Sequence, residues 1–134
     1  MNPSSSSSSP AALWAGRIAT GLSALFMLFD GAVKVIQPDF VVKSTAQTGF
    51  PLGALFPLGV IVVLAAVLYL IPRTAAWGAL VLTGYLGGAV CANVQLHSAL
   101  FSGTLFPVYF GVLIWLGLGL RRPDIRAIFL SPAA

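Results

Sequence analysis

Charged residues are scarce in this chain. Of its 134 residues, seven are Lys or Arg and three are Asp or Glu. Soluble domains carry about 25% charged residues, whereas this chain has 7%. Ten charges cannot cover the surface of a water-soluble domain of this length, which argues against such a fold. The basic residues lie at the ends of apolar stretches rather than in a phosphate-binding patch, so we expect no nucleic-acid partner.

Cysteine and histidine are also scarce, with one residue of each. A single thiol cannot form an intrachain disulfide or a Cys-x-x-Cys redox pair. One Cys and one His do not suffice for a protein-only transition-metal site, so we predict no metal ligands. The sequence also lacks a phosphate-binding glycine loop, a zinc-protease motif and a credible Ser-His-Asp set. We therefore predict no catalytic residues and do not expect the chain to be an enzyme on its own.

What fills the chain instead is four apolar stretches of 17 to 23 residues. A hydrocarbon core of about 30 Å needs about 20 helical residues to cross it. The stretches cover residues 14–36, 52–71, 74–95 and 104–120. They predict an all-α, integral membrane four-helix transmembrane bundle over residues 12–130, the first helix being an uncleaved span. The Ser-rich residues 1–11 are expected to form a disordered tail, and residues 131–134 a short C-terminal tail.

The basic residues divide between two ends of the predicted bundle. The arginine end carries Arg17, Arg73, Arg121, Arg122 and Arg126, and the lysine end carries Lys34 and Lys43. The tryptophans Trp14, Trp77 and Trp115 fall near the arginine end, as interface anchors do. By the positive-inside rule, both termini are expected in the cytoplasm, most naturally of a bacterium with the chain in its inner membrane.

Small residues recur every four positions in two of the predicted helices. Gly16 and Thr20 belong to such a stripe in the first helix, and Gly84 and Gly88 to one in the third. Stripes of this kind let membrane helices approach closely, so we predict that both pack helices together or join copies of the chain. The linker at residues 37–51 is amphipathic and is expected to form a short interfacial helix.

Asp30 is the residue that a bilayer tolerates least, because it lies about 20 Å along the first helix from Arg17. Lys34 follows one turn later on the same face. Three interpretations stay open: a structural ion pair, a functional polar site inside the bundle, or an interface position. Asn93 and Tyr109 fall at a similar depth and are candidates for the same pocket, whereas His97 is expected in an exposed loop. We expect hydrogen-bonding groups to converge only in this half of the bundle and the arginine half to be apolar.

The segment LYLIPRTAAWGALVLTGYLGGAVCA at residues 68–92 resembles the DoxX-like family of small four-helix membrane proteins. The most specific part is Tyr69, Pro72, Arg73 and Thr74 together with Gly84 and Gly88. Gly31-Ala32-Val33-Lys34 and Leu105-Phe106-Pro107 match as well, and the resemblance extends over about residues 15–130. Two positions depart from the family: Val62 replaces a common acidic residue, and residues 92–95 read Ala-Asn-Val-Gln instead of a Thr-His-x-Arg-like end.

The family takes its name from a subunit of a thiosulfate:quinone oxidoreductase. The resemblance therefore implies an accessory membrane subunit of a quinone-linked or thiol redox system, with a redox enzyme as partner. No cofactor is evident from the residues themselves, and a quinone is the one that the resemblance suggests. The alternative is a small transporter or permeation subunit that acts as a homo-oligomer in the lipid bilayer.

Overall fold

The computed structural model describes residues 9–131, and within this range the chain is helical with no strands. Its helices are α1 (Pro10–Ile36), α2 (Asp39–Gln47), α3 (Leu55–Leu70), α4 (Ala75–Gln95), α5 (Phe106–Arg121) and α6 (Pro123–Leu130). A 3₁₀ turn at Leu52–Ala54 precedes α3, and a π-helical segment at Leu100–Thr104 precedes α5. Among residues 9–131, four segments are long and apolar enough to cross a membrane, namely Pro10–Ile36, Leu52–Leu70, Ala75–Gln95 and Leu100–Arg121. The predicted all-α membrane bundle is thereby confirmed.

The ends of the spans differ little from the sequence predictions. α1 begins at Pro10 rather than residue 14, because proline suits a first helical position and the Ser9 hydroxyl caps the Ala12 amide at 3.2 Å. Thus Pro10 and Ala11 of the predicted tail are helical, while residues 1–8 and 132–134 of the two predicted tails lie outside the described residues. The sequence analysis did not predict α6, which also begins with a proline, Pro123.

The four spans form a square in which each helix contacts its two neighbours along the perimeter. α1 packs on α3 and α5, and α4 packs on the same two helices. Consecutive spans run in opposite directions, so Ser9 and Ser131 both lie at the arginine end. The exterior is apolar, with Leu25, Leu64 and Trp77 each more than half exposed, as expected for a surface that faces lipid.

Glycines allow the backbones to touch where neighbouring spans cross. A Cβ at Gly78 would lie 2.6 Å from the Ala65 carbonyl oxygen, so α4 rests directly on α3. A Cβ at Gly16 would lie 2.9 Å from the Leu120 Cβ, and one at Gly117 would lie 2.7 Å from the Thr20 hydroxyl. Gly16 and Thr20 therefore lie at the α1–α5 contact, where small residues let the two backbones approach closely.

Gly84 and Gly88 behave differently from that first stripe. A Cβ added at either position would have nothing within 4 Å, so neither residue packs a helix within this chain. Their four-residue spacing does place them on one face of α4, but that face is open. Of the two predicted roles, packing between helices has no contact at these positions among residues 9–131, and joining of copies stays a prediction. A periodic stripe does not specify which face meets a neighbour.

A buried tyrosine corrects the expectation that the arginine half of the bundle is purely apolar. Tyr69 is fully buried in the core cluster, and its hydroxyl donates a hydrogen bond to the Ile114 carbonyl at 2.8 Å. The Thr20 hydroxyl lies 3.4 Å from the same oxygen. These contacts join α3 to α5 and α1, and the guanidinium of Arg121 lies 5.7 Å from the Tyr69 ring centroid.

At the arginine end, Arg122 connects the α3–α4 turn to the start of α6 through hydrogen bonds. Its guanidinium donates to the Pro72 carbonyl at 2.5 Å and to both carboxylate oxygens of Asp124 at 3.0 and 2.8 Å. The hydrogen bond from Arg122 lowers the pKa of Asp124 to about 2, and the same pairing raises the pKa of Arg122. The tight α3–α4 turn is thus held against the junction of α5 and α6.

Candidate functional site

Asp30 and Lys34 of α1 form an ion pair, which is one of the three interpretations left open by the sequence. Lys34 Nζ lies 2.5 Å from Asp30 Oδ1, the distance of a charge-assisted hydrogen bond. Asp30 Oδ2 accepts a hydrogen bond from the Tyr85 hydroxyl of α4 at 2.6 Å. Both carboxylate oxygens therefore have donors, and the contact links α1 and α4, which occupy opposite corners of the square.

Tyr85 is the member of this cluster that the sequence analysis missed. Depth along the helices could have indicated it: Asp30 lies roughly 9 Å before the end of α1, and Tyr85 lies roughly 15 Å before the end of α4. The side chain of Tyr85 is long enough to cover most of this difference in depth of roughly 6 Å. A hydroxyl inside a membrane helix also needs a hydrogen-bond partner. The ring also lies beside the cation, with Lys34 Nζ 5.6 Å from its centroid.

A cavity of about 480 Å³ opens next to this cluster at the lysine end. Its polar groups are Lys34, Tyr85, Asn93 and the hydroxyl side chains of the segment 44–48. The hydroxyl residues come from α2 and its C-cap, namely Ser44, Thr45 and Thr48. The helix expected in the linker at residues 37–51 is therefore present, and it borders the cavity.

The remaining walls of the cavity are apolar or bare. Phe50, Leu55 and Leu58 form the side next to α3, and Gly84 and Gly88 belong to the α4 side. Apolar walls with a few convergent polar groups are typical of small-molecule sites. The cavity thus combines a hydrogen-bonding end with surfaces that suit a ring or a hydrocarbon chain.

The structure brings some of the predicted site residues together and separates others. Lys34 and Asn93 both line the cavity, and Asp30 holds the Lys34 ammonium group. The Asn93 amide donates to the Ala89 carbonyl at 2.9 Å. Tyr109 does not line the cavity; its hydroxyl donates to the Phe101 carbonyl at 3.0 Å, and the residue is 48% exposed. Tyr109 was placed by depth alone, which does not determine the direction in which a residue faces.

Comparison with known proteins agrees with this architecture. The family model described as the DoxX-like family matches residues 18–117, about three quarters of the chain. The chain belongs to the DoxX-like family. No curated protein and no solved structure matches it.

Val62 of this DoxX-like protein, which the sequence analysis noted as a departure from the family pattern, lies in the core. Val62 is fully buried in the apolar cluster that contains Tyr69 and Leu82. An acidic side chain there would need a partner among these residues. Val62 therefore contributes no polar group, and the charged cluster within the spans at the lysine end is Asp30–Lys34–Tyr85.

The DoxX-like protein has a second, apolar cavity of about 550 Å³ between α4 and α5. Gly87, Val90, Pro107 and Trp115 belong to its lining. The Trp115 indole donates to the Thr83 hydroxyl at 2.7 Å. Trp115 therefore joins two helices in addition to lying in the arginine half. Trp14 and Trp77 are 63% and 68% exposed, as lipid-facing anchors are.

Within residues 9–131 of the DoxX-like protein, no three His, Cys, Asp or Glu side chains are grouped so as to hold a metal ion. His97 lies in the exposed loop after α4, where its backbone has a φ of 52°. Cys91 is exposed on α4. The chemistry that the lysine-end cavity offers is hydrogen bonding from one compensated ammonium group, a phenol, an amide and several hydroxyls.

Proposed function

We propose that this DoxX-like membrane protein is an accessory subunit of a quinone-linked or thiol redox system, and that the lysine-end cavity binds the quinone head group. The observation that carries the proposal is the pairing of Lys34. Asp30 neutralises its charge at 2.5 Å, and Lys34 also lines the cavity. An ammonium has three N–H donors. One donates to Asp30 Oδ1 and a second to the Asp30 carbonyl oxygen at 3.5 Å, which leaves one for a ligand.

The charge of the pair favours a neutral ligand over an anion. With Asp30 ionised and Lys34 protonated, the pair contributes no net charge to the cavity, and binding an anion there would leave one charge uncompensated. A carbonyl oxygen accepts a hydrogen bond without adding charge. A quinone ring has such oxygens, and its isoprenoid chain suits apolar walls such as Leu55 and Leu58.

The residues of this chain hold and orient such a ligand, and a partner exchanges its electrons. Lys34 and the Asn93 amide are the donors placed to contact ring oxygens, and Tyr85 fixes the Asp30 carboxylate that positions Lys34. One cysteine per chain cannot cycle between dithiol and disulfide by itself. The electrons are therefore exchanged with a redox enzyme that associates with the bundle.

The orientation that goes with this proposal has both termini in the cytoplasm of a bacterial cell. Five arginines lie at the end that carries Ser9 and Ser131, against two lysines at the other. The cavity then opens toward the outer leaflet of the inner membrane. A redox partner that contacts it would act from the periplasmic side.

Binding of a short-chain ubiquinone analogue to the protein in lipid nanodiscs tests the proposal. We expect saturable binding that weakens by about tenfold or more in Lys34→Met, since a hydrogen bond to a charged donor contributes about 1.5–3 kcal/mol. Lys43→Met is the matched control, because Lys43 is an exposed lysine of α2 at the same end. Lys34→Met leaves the Asp30 carboxylate without a counter-charge, whereas the double variant Asp30→Asn/Lys34→Met removes both charges. A loss of binding in the double variant is therefore due to the missing donor and not to an unpaired charge. Absence of saturable binding to the wild type, or equal binding by the double variant, would refute the proposal.

A second candidate function is supported by the open face of α4. Gly84, Gly87 and Gly88 have nothing within 4 Å of a Cβ position, which leaves a smooth surface for another copy of the chain. In that case the protein is a transporter or permeation subunit that works as a homo-oligomer. Solute flux into liposomes that contain only this protein would favour this function, whereas co-purification with an enzyme that reduces or oxidises quinones would favour the first.

A further inference from the structure

Three glycines of α4, at positions 84, 87 and 88, have no packing role among residues 9–131, and two of them line the lysine-end cavity. Glycine is among the least favourable residues in a helix interior, and it is tolerated where backbones must touch. Gly31, Gly59 and Gly78 meet that condition, since an added Cβ would clash with a neighbouring helix. Gly84 and Gly88 do not, because an added Cβ would meet nothing within 4 Å. The role of Gly84 and Gly88 therefore depends on the empty space beside them, where a larger residue would place its side chain.

That space belongs to the lysine-end cavity. Gly84 and Gly88 both line it, one helical turn apart, on the side of α4 that also presents Tyr85. Leu55 and Leu58 of α3 line the same cavity. Without side chains at two successive turns, the α4 wall contains a flat strip of backbone beside Tyr85 and Ala89. Lys34 lies in the same lining as a donor.

We propose that Gly84 and Gly88 determine the ligand specificity of the cavity, by leaving a flat wall on which a planar ring lies while its oxygen reaches Lys34. This inference rests on the proposed quinone-binding function and adds the residues that select the ring. A leucine at position 88 would add four carbon atoms, each about the volume of a water molecule, or roughly 120 Å³ in total. That is about a quarter of the 480 Å³ cavity. The ring and the leucine then compete for the same space.

The adjacent Gly87 provides a matched control. It is equally open, with nothing within 4 Å of a Cβ position, but it lines the apolar cavity between α4 and α5. Leucine is a strong helix former and suits a lipid-facing surface, so neither Gly87→Leu nor Gly88→Leu is expected to unfold the bundle. The two variants differ only in which cavity they fill.

The experiment measures binding of a benzoquinone and a naphthoquinone analogue to the protein in nanodiscs. We expect Gly88→Leu to weaken binding of both at least tenfold and Gly87→Leu to leave it unchanged. If Gly88→Leu does not fold, Gly88→Ala is the variant to test. We expect Gly88→Ala to weaken binding of the bulkier naphthoquinone more than binding of the benzoquinone. Thermal unfolding of each variant should match or exceed that of the wild type.

The outcomes separate this inference from the proposed function. If the wild type binds neither analogue, both fail. If the wild type binds and all three glycine variants bind equally well, the specificity role of the glycines fails while the quinone site stands. If Gly88→Leu changes the oligomeric state of the protein in detergent but not its ligand binding, the glycine strip packs against a second copy. The inference is then likewise refuted.

Discussion

Removing the charge of Asp30 should destabilise the protein more than removing the charges of Asp30 and Lys34 together. In Asp30→Asn, the Tyr85 hydroxyl keeps an amide oxygen as acceptor, but Lys34 loses its counter-charge. The two side chains are 24% and 18% exposed, so most of each lies in a medium that does not solvate charge. The double variant Asp30→Asn/Lys34→Met has no charge to bury and nearly the original shape.

The magnitude follows from the geometry of the pair. Breaking a buried ion pair costs about 3–5 kcal/mol, and a lone lysine at the bilayer centre costs about 2.5–3.5 kcal/mol on insertion scales. Lys34 lies two residues before the end of α1, so its ammonium can reach toward the interface and recover part of that cost. We therefore expect a loss of about 2 kcal/mol for each of Asp30→Asn and Lys34→Met. The double variant should lose about 1 kcal/mol or less, since replacing both partners is often close to neutral.

Reversible unfolding of the four proteins in mixed detergent micelles, followed by tryptophan fluorescence, measures these differences. The cycle should show a coupling of about 3 kcal/mol between positions 30 and 34, at the upper end of what contacting residues give. Losses that simply add, with the double variant the least stable of the four, would contradict the assignment of a compensated pair. Asp30→Leu is the further comparison, because it also removes the acceptor of the Tyr85 hydroxyl and should cost about 1–3 kcal/mol beyond Asp30→Asn.

Two other predictions concern the arginine half of the bundle. Gly78→Ala should destabilise the protein by about 1–3 kcal/mol or more, because the added Cβ would lie 2.6 Å from the Ala65 carbonyl oxygen; unchanged unfolding would contradict the backbone contact. Pairing with Arg122 lowers the pKa of the Asp124 carboxyl from 3.8 to about 2. Any stability that the pair contributes is therefore complete above about pH 4 and is lost as the pH falls through about 2. An NMR titration of the Asp124 carboxyl should show this midpoint, and Arg122→Gln should return it toward 3.8, whereas a midpoint near 3.8 in the wild type would argue against the pair.

Much of the fold could be predicted because it depends on local sequence. A bilayer imposes one length on every span, so the four apolar stretches predicted the helices to within a few residues at most ends. The Asp30–Lys34 pair was also within reach, since both residues lie on one helix and their separation by four fixes the geometry. The stripe that contains Gly16 and Thr20 faces α5, a direction that its four-residue period does not specify.

What could not be predicted depends on how the helices are rotated about their axes. Depth along a helix made Asn93 and Tyr109 look equivalent, yet one lines the cavity and the other bonds to Phe101. The same limitation hid Tyr85, which meets Asp30 from the opposite corner of the bundle. A four-residue period likewise cannot distinguish a packed stripe from an open one such as Gly84 and Gly88.

The backbone contacts of α1 fix its length as well as its position. Gly16 meets α5 near the arginine end, and Gly31 meets α3 beside the charge pair, where a Cβ would lie 3.0 Å from the Gly59 carbonyl oxygen. Adding or deleting one residue between them would turn one contact about 100° away from its partner, since each residue advances a helix by that angle. Substitutions on the outer face of this helix should therefore be tolerated during evolution. Insertions and deletions should be confined to its two ends.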